Sequence, residues 1–178
     1  MEKEKKIMNS EEIKRVIYRL SSEVVERNIE FSNLYFIGIK RRGVTLARRL
    51  KKNVEKMFNI SLHIGAIDIT LYRDDLALVA QSPIIHGSKI DFDVNDKDIL
   101  LVDDVIFTGR TVRAAISEIL DYGRPKKIEL VVLIDRGHRE LPIHPDYTGK
   151  KIETEKDEIV DVMFVEDDGE DAVYLRRE

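Results

Sequence analysis

Asp103 and Asp104 are adjacent carboxylates, and Val105-Ile106-Phe107 separates them from Thr108-Gly109-Arg110-Thr111. Paired carboxylates accept hydrogen bonds from sugar hydroxyls, or hold Mg²⁺ directly or through water. The backbone N–H groups of residues 107–111, with the hydroxyls of Thr108 and Thr111, suit a phosphate at the start of a helix, where the dipole favours an anion. Gly109 lets a ligand approach the chain closely. A phosphorylated sugar satisfies both halves. The plain alternative, a solvated strand end with an ordinary helix cap, accounts for the Asp-Asp pair alone better than for the whole pattern.

Lys40-Arg41-Arg42-Gly43 gathers three cations ahead of a glycine. Such a turn becomes an anion site when its backbone bends to present N–H groups. Asp135-Arg136-Gly137-His138-Arg139-Glu140-Leu141-Pro142 forms a third polar loop. Thr70-Leu71-Tyr72-Arg73-Asp74-Asp75 opens a long stretch with little pattern. Irregular insertions of that kind form lids or binding loops, so a flap carrying Arg73 towards the site is expected. His63 has no neighbours at metal-ligand spacing and reads as a packed or edge histidine.

The elements that position these loops follow from apolar periodicity. Ile99-Leu100-Leu101-Val102 is a continuous apolar run too short for a helix, so it reads as a buried strand ending at the carboxylates. Behind it, Val112, Ala115, Ile116, Ile119 and Leu120 mark a helix closed by Gly123, with Pro125 beyond. Residues 34–39 and 128–134 are strands of the same kind, each delivering one of the other polar loops at its carboxyl end. Open α/β sheets bind ligands in the crevice beside those ends. Residues 9–27 form an amphipathic helix with Asn9 and Glu12 at capping-box spacing, residues 44–57 a crossover helix, and residues 62–69 a further strand. Two short strands, 158–165 and 172–175, are expected around the turn Asp167-Asp168-Gly169.

With 178 residues, the chain suits one domain, 1–178, with a substantial core. It has no cysteine, which excludes disulfides and thiolate chemistry. The sequence starts Met1-Glu2-Lys3-Glu4-Lys5-Lys6, without a signal peptide's apolar segment, and has no membrane-length apolar run, so a cytoplasmic location is expected. The net charge of −4 gives no global sign of nucleic-acid binding, but residues 1–60 carry 15 cations against 8 anions, and residues 153–178 carry 3 against 11. That asymmetry is compatible with a basic face for phosphates, on which Lys14, Arg15, Arg19 and Arg27 of the first helix would stand.

Residues 99–111 closely resemble the phosphoribosyl pyrophosphate (PRPP) motif of type I phosphoribosyltransferases. Asp103-Asp104-Val105-Ile106-Phe107-Thr108-Gly109-Arg110-Thr111 resembles the version found in the PyrR family of pyrimidine operon regulators. Three further pieces match in order: residues 38–43, 67–75 and 132–142. The resemblance therefore spans essentially the whole chain. It implies an α/β fold of the type I phosphoribosyltransferase class, with a central, mainly parallel sheet flanked by helices, a small hood and a flexible flap. It also implies two roles: uracil and PRPP to UMP and pyrophosphate with Mg²⁺, and UMP- or UTP-dependent binding of pyrimidine operon mRNA that causes transcription attenuation. Dimers or higher homo-oligomers are implied as well. In this reading residues 103–111 bind the ribose phosphate, Lys40, Arg41, Arg42 and Gly43 serve the pyrophosphate, and Asp103, Asp104 and Arg73 are the catalytic candidates. Arg136 and Val160 would border uracil, and Lys14, Arg15, Arg19, Arg27 and Arg139 would face RNA. Two other readings share the PRPP site: a nucleobase-salvage phosphoribosyltransferase without RNA binding, and a PRPP-sensing regulator, for whose added DNA-binding domain the chain has no length.

Overall fold

The computed structural model describes residues 4–28, 30–70 and 87–177. In chain order these form β1 (Lys5–Met8), α1 (Ser10–Arg27), β2 (Leu34–Ile39), α2 (Arg42–Phe58), β3 (His63–Ile67) and β4 (Asp98–Ile106). They continue with α3 (Arg110–Tyr122), β5 (Lys127–Asp135), β6 (Tyr147–Lys151), β7 (Glu158–Met163), α4 (Val165–Asp168) and β8 (Ala172–Arg177). Five strands make one sheet in the order β3-β2-β4-β5-β6, with every neighbouring pair parallel. The remaining three, β1-β8-β7, make a small antiparallel sheet that corresponds to the expected hood.

Alternation along the central strands explains the two-sided core. Leu100 and Val102 of β4 join Phe36, Val131 and Leu133 beneath α1 and α2, while Ile99 and Leu101 join Ile37, Leu130 and Val132 beneath α3. Helix α1 begins as its spacing predicts: the Asn9 side chain accepts from the Glu12 N–H at 3.0 Å, and the Glu12 carboxylate accepts from the Asn9 N–H at 2.8 Å. Its buried Ile13, Ile17, Leu20 and Val24 form one stripe. Helix α2 begins at Arg42, two residues ahead of the expected start, because the cationic turn itself supplies the first helical residues.

Two strands escaped the apolar pattern. In β1 only Met8 is buried, and in β6 only Tyr147, since each lies at the edge of its sheet and has little apolar surface to cover. The turn expected at 167–169 holds a single helical turn, α4, closed by Gly169. Arg73 and the expected flap around it fall outside the described residues. No helix among the described residues is long and apolar enough to cross a membrane.

Candidate active site

In the parallel sheet β2, β4 and β5 are neighbours, so their carboxyl ends open side by side and bring the three polar loops together. Between them lies a cavity of about 350 Å³, lined by Lys40, Arg41 and Arg42 from the β2 end, residues 103–109 and Thr111 from the β4 end, and Arg136 from the β5 end. Ile159 and Val160 of the hood close one side. Of the expected site residues, Gly43 and Arg110 are not on this wall. Gly43 is buried beneath it, where an added Cβ would stand 2.6 Å from the Val102 carbonyl oxygen and 3.1 Å from the Asp103 Cα. Only glycine allows the cationic turn to lie this close to the acidic strand. Arg110 points away from the wall and pairs with Glu140 at 2.8 Å.

The loop after β4 has the geometry of an anion cradle. Gly109 caps α3 at φ 92°, in the region that favours glycine, and the Arg110 N–H meets the Thr108 hydroxyl at 3.3 Å. The N-cap residues themselves, Gly109 of α3 and Arg41 of α2, give no side-chain cap to either helix. Two helix N-termini thus border the cavity with backbone donors. The Asp103 carboxylate accepts from the Asp104 N–H at 3.0 Å. Burial pushes the Asp104 carboxyl above its ordinary range, against the pull of Asp103's hydrogen bond and the nearby Arg42 charge.

The cations around the cavity are held in different ways. Arg42 donates from Nε and Nη2 to the two carboxylate oxygens of Asp168, at 3.0 and 2.8 Å, so the cationic turn is tied to the hood. One helical turn on, Thr45 donates to Asp167 at 2.6 Å, and Arg49 grips both Glu166 and Asp171. Lys40 donates to the Gly87 carbonyl. Arg136 is only 7% exposed, lies 3.9 Å from the centre of the Phe107 ring, and donates to the Glu155 carbonyl at 3.0 Å. Its Nε has no hydrogen-bond partner among the described residues, and burial lowers its pKa, with Glu158 opposing.

The residues expected to face RNA are divided by the structure. Lys14 and Arg15 are exposed on α1. Arg19 donates to the Thr148 and Gly149 carbonyls of β6, and Arg27 to the Asp146 carbonyl at 3.2 Å, so both also fasten α1 to the sheet edge. Arg139 lies apart from them, inside the third loop. Both carboxylate oxygens of Asp135 accept from it, at 2.9 and 2.8 Å, and so does the Phe107 carbonyl, at 2.6 Å. With its side chain 12% exposed, it braces the loop beside the cavity and offers no surface cation. Sequence reasoning did not single out Asp167 or Asp168 as hood anchors. The signal was present in Arg42, Thr45 and Arg49, whose i, i+3, i+7 spacing puts three hydrogen-bonding side chains on one helix face opposite an acidic turn.

Comparison with known proteins agrees with this geometry. The family described as "Phosphoribosyl transferase domain" matches residues 4–167. "Bifunctional protein PyrR" of Caldicellulosiruptor bescii is 51% identical over 177 residues, covering 99% of this chain and 97% of that one. The protein of the same name from Clostridioides difficile is 51% identical over 96% of each chain, and that from Deinococcus radiodurans 49% over 95% and 92%. Among solved structures, hypoxanthine phosphoribosyl transferase of Trypanosoma cruzi superposes with a TM-score of 0.75 at 17% identity, over 97% of this chain and 91% of that one. Hypoxanthine phosphoribosyltransferase of Staphylococcus aureus gives 0.67 at 22% identity, over 85% and 79%. These two share the fold. The sequence match over nearly the full length places the chain in the phosphoribosyltransferase family, as a member of its PyrR branch.

Proposed function

We propose that this chain is a pyrimidine operon attenuator that binds pyr mRNA when a uridine nucleotide is bound, and a uracil phosphoribosyltransferase that converts uracil and PRPP to UMP and pyrophosphate. The observation that carries the reading is the single cavity on which a cationic turn, an acidic strand end with its anion cradle, and a hood wall converge. PRPP has groups of matching chemistry: a 5-phosphate for the cradle at residues 107–111, ribose hydroxyls for Asp103 and Asp104, and a pyrophosphate for the side of Lys40, Arg41 and Arg42.

In the reaction, the bond from the anomeric carbon to the pyrophosphate oxygen breaks with its electron pair leaving on pyrophosphate. A uracil ring nitrogen bonds to that carbon and loses its proton. The ribose becomes oxocarbenium-like on the way, so the protein gains most by stabilising the departing anion and excluding water. Lys40 and Arg41, with the uncapped start of α2, supply fixed positive charge for the leaving group. Asp103 and Asp104 hold the sugar in line, and Asp104, its pKa raised by burial, is a candidate to take the uracil proton. Arg73 is the candidate carried by the segment after Thr70. Arg136, stacked on Phe107, and Val160 border the space left for the base, which backbone groups can recognise without a side-chain signature.

The donor set fits Mg²⁺. Two adjacent carboxylates offer hard oxygens, and no cluster of three His, Cys, Asp or Glu that would hold a metal alone occurs among the described residues. Mg²⁺ commonly takes one or two carboxylates and completes its shell with substrate oxygens and water. When bound with PRPP, it supplies charge to the pyrophosphate oxygens.

RNA binding is assigned to the cations of α1, Lys14, Arg15, Arg19 and Arg27, and to a homo-oligomer that presents more than one copy of them. Incubating the protein with uracil, PRPP and Mg²⁺ tests the enzyme: UMP should form, and activity with hypoxanthine or guanine instead would overturn the assignment. Titrating a pyrimidine operon leader RNA with and without UMP tests the regulator. Binding that is absent, or indifferent to the nucleotide, would leave a salvage enzyme only.

A further inference from the structure

Glu118 is a carboxylate in an expensive place. It lies on the sheet-facing side of α3 among Ala114, Ala115 and Ile119, is 6% exposed, and its Oε2 has no hydrogen-bond partner among the described residues. An alkyl side chain there would avoid the cost of an unsatisfied buried oxygen. Its other oxygen, Oε1, accepts from the Ser88 hydroxyl. The Ser88 oxygen in turn accepts the Asp68 backbone N–H at 2.9 Å. Asp68 links this pair to the cavity wall. Its carboxylate accepts from the Thr70 N–H and hydroxyl at 3.1 and 2.5 Å. Its Oδ2 lies so close to Gly87 that an added Cβ would stand 2.6 Å from it and 3.1 Å from the Lys40 ammonium. Lys40 donates its side-chain N–H to the Gly87 carbonyl and its backbone N–H to the Ile67 carbonyl, the latter at 2.8 Å. Gly87 thus lies between the Asp68 carboxylate and the Lys40 ammonium, and through it the buried face of α3 is joined to a cation on the cavity wall.

We propose that Glu118 is a positioning residue for PRPP, which through Ser88 and Asp68 fixes the Lys40 ammonium on the pyrophosphate side of the cavity. The inference rests on the reading of the cavity as a PRPP site. It adds a residue that touches no substrate and belongs to none of the three polar loops. Burial favours the protonated form of Glu118, as do the charges of Asp68 and Asp121, while the Ser88 hydroxyl opposes. The cluster therefore holds that carboxyl against repulsion rather than by an ion pair.

UMP shares the ribose phosphate with PRPP but lacks the pyrophosphate, so the two ligands separate positioning of Lys40 from general damage to the site. Calorimetric titration of Mg²⁺–PRPP and of UMP is compared in the wild type, Glu118→Ala, Glu118→Gln and Ser88→Ala, with thermal melting as the check on folding. Glu118→Ala and Ser88→Ala should weaken PRPP about tenfold, as expected when a charged group is displaced by a fraction of an ångström, with UMP affinity within twofold. Glu118→Gln keeps an acceptor for Ser88 and should recover most of the loss. In steady state the KM for PRPP should rise more than that for uracil. Equal weakening of both ligands, or unchanged PRPP affinity in a folded variant, would overturn the inference. Should Glu118→Ala fail to fold, Ser88→Ala, which removes one half-buried hydroxyl, decides the matter. A wild type that neither binds PRPP nor forms UMP would instead refute the reading of the cavity itself, and the inference with it.

Discussion

On the side of the cavity proposed for the ribose phosphate, carboxylates, backbone donors and hydroxyls all come from residues 103–111, in one strand end and the helix start behind it. On the side proposed for pyrophosphate, three consecutive cations are supplied locally, but two of them are held from far away. Lys40 is bound by Gly87, 47 residues on, and Arg42 by Asp168, 126 residues on. A site half made from one stretch is set by local geometry and the strand that carries it. A half whose side chains are fixed by two other parts of the chain depends on how those parts are packed. Ligand affinity on the second side should therefore answer to residues outside the cavity wall.

The sharpest way to break this contrast is within the contiguous half. Asp104→Asn should lower turnover with PRPP by about 10²-fold, the scale of losing a positioned acid-base group. Steady-state rates of UMP formation measure it, and an unchanged rate would remove that carboxylate from the mechanism. Gly43→Ala comes next, because Gly43 is where the two halves touch. Its Cβ would be forced against the Val102 carbonyl oxygen at 2.6 Å, and overpacking of that kind costs about 1–3 kcal/mol. Melting temperature should fall, and affinity for both PRPP and UMP should fall with it, since the displaced backbone belongs to both sides. A variant with wild-type stability would mean that the turn yields more freely than the contact distance implies.

The contrast also explains what could be read from the residues alone. Residues 103–111 announce themselves because strand, ligand groups and helix cap are contiguous, and Asn9 with Glu12 fixes the start of α1 for the same reason. Nothing local in Glu118 reveals its role. The apolar stripe on α3 points to Val112, Ala115, Ile116, Ile119 and Leu120, yet Leu120 is 54% exposed while Ala114 and Glu118 are buried. The helix is rotated so that its Glu118 side meets Ser88, whose hydroxyl gives the carboxylate a donor that periodicity cannot register. Arg139 misleads in the opposite sense: as a cation in a polar loop it reads as a surface contact, but Asp135 four residues earlier draws it inward. Strands β1 and β6 are hidden because an edge strand with one buried residue carries almost no alternation.

Acid should act on the two kinds of carboxylate with opposite sign. The Arg42 guanidinium holds Asp168, and Arg49 holds Glu166, below their ordinary ranges. A carboxyl depressed in the folded state adds stability above its unfolded pKa and loses it as pH falls through the folded value. Asp104 and Glu118 are raised by burial, so each adds stability below its unfolded pKa, lost as pH rises through the folded value. Asp168→Asn, which keeps the shape but removes the charge facing Arg42, should cost about 1 kcal/mol near neutrality. That cost should shrink as pH falls below about 4, the ordinary carboxylate range. Thermal melts of wild type and variant from pH 7 to pH 3 measure the gap. A gap that stayed constant across that range would show that the hood is held by packing and not by the Arg42 ion pair.

The smallest effect is expected on α1, where the same contrast between committed and free groups recurs. Arg19 and Arg27 donate to carbonyls of residues 146–149 and hold the helix to the sheet edge, so replacing either disturbs the framework as well as any RNA contact. Lys14 and Arg15 are exposed, and among the described residues neither has an ion pair. Arg15→Gln is accordingly the clean probe of the RNA face. Losing one phosphate contact reduces the slope of log affinity against log salt by about 1, and weakens all RNA sequences alike. The melting temperature should not move, since no partner among the described residues is lost. An unchanged slope would take RNA off this part of α1 and leave Arg19 and Arg27 as struts, whose replacement should then lower stability without altering the salt dependence. Because α1 packs on the opposite side of the sheet from α3 and at a distance in sequence from residues 103–111, any influence of bound UMP on that slope has to cross the fold, through α2 to β4 or through β6 and β5. Measuring the Arg15→Gln slope with and without UMP therefore asks whether the nucleotide changes the number of phosphate contacts or only their strength.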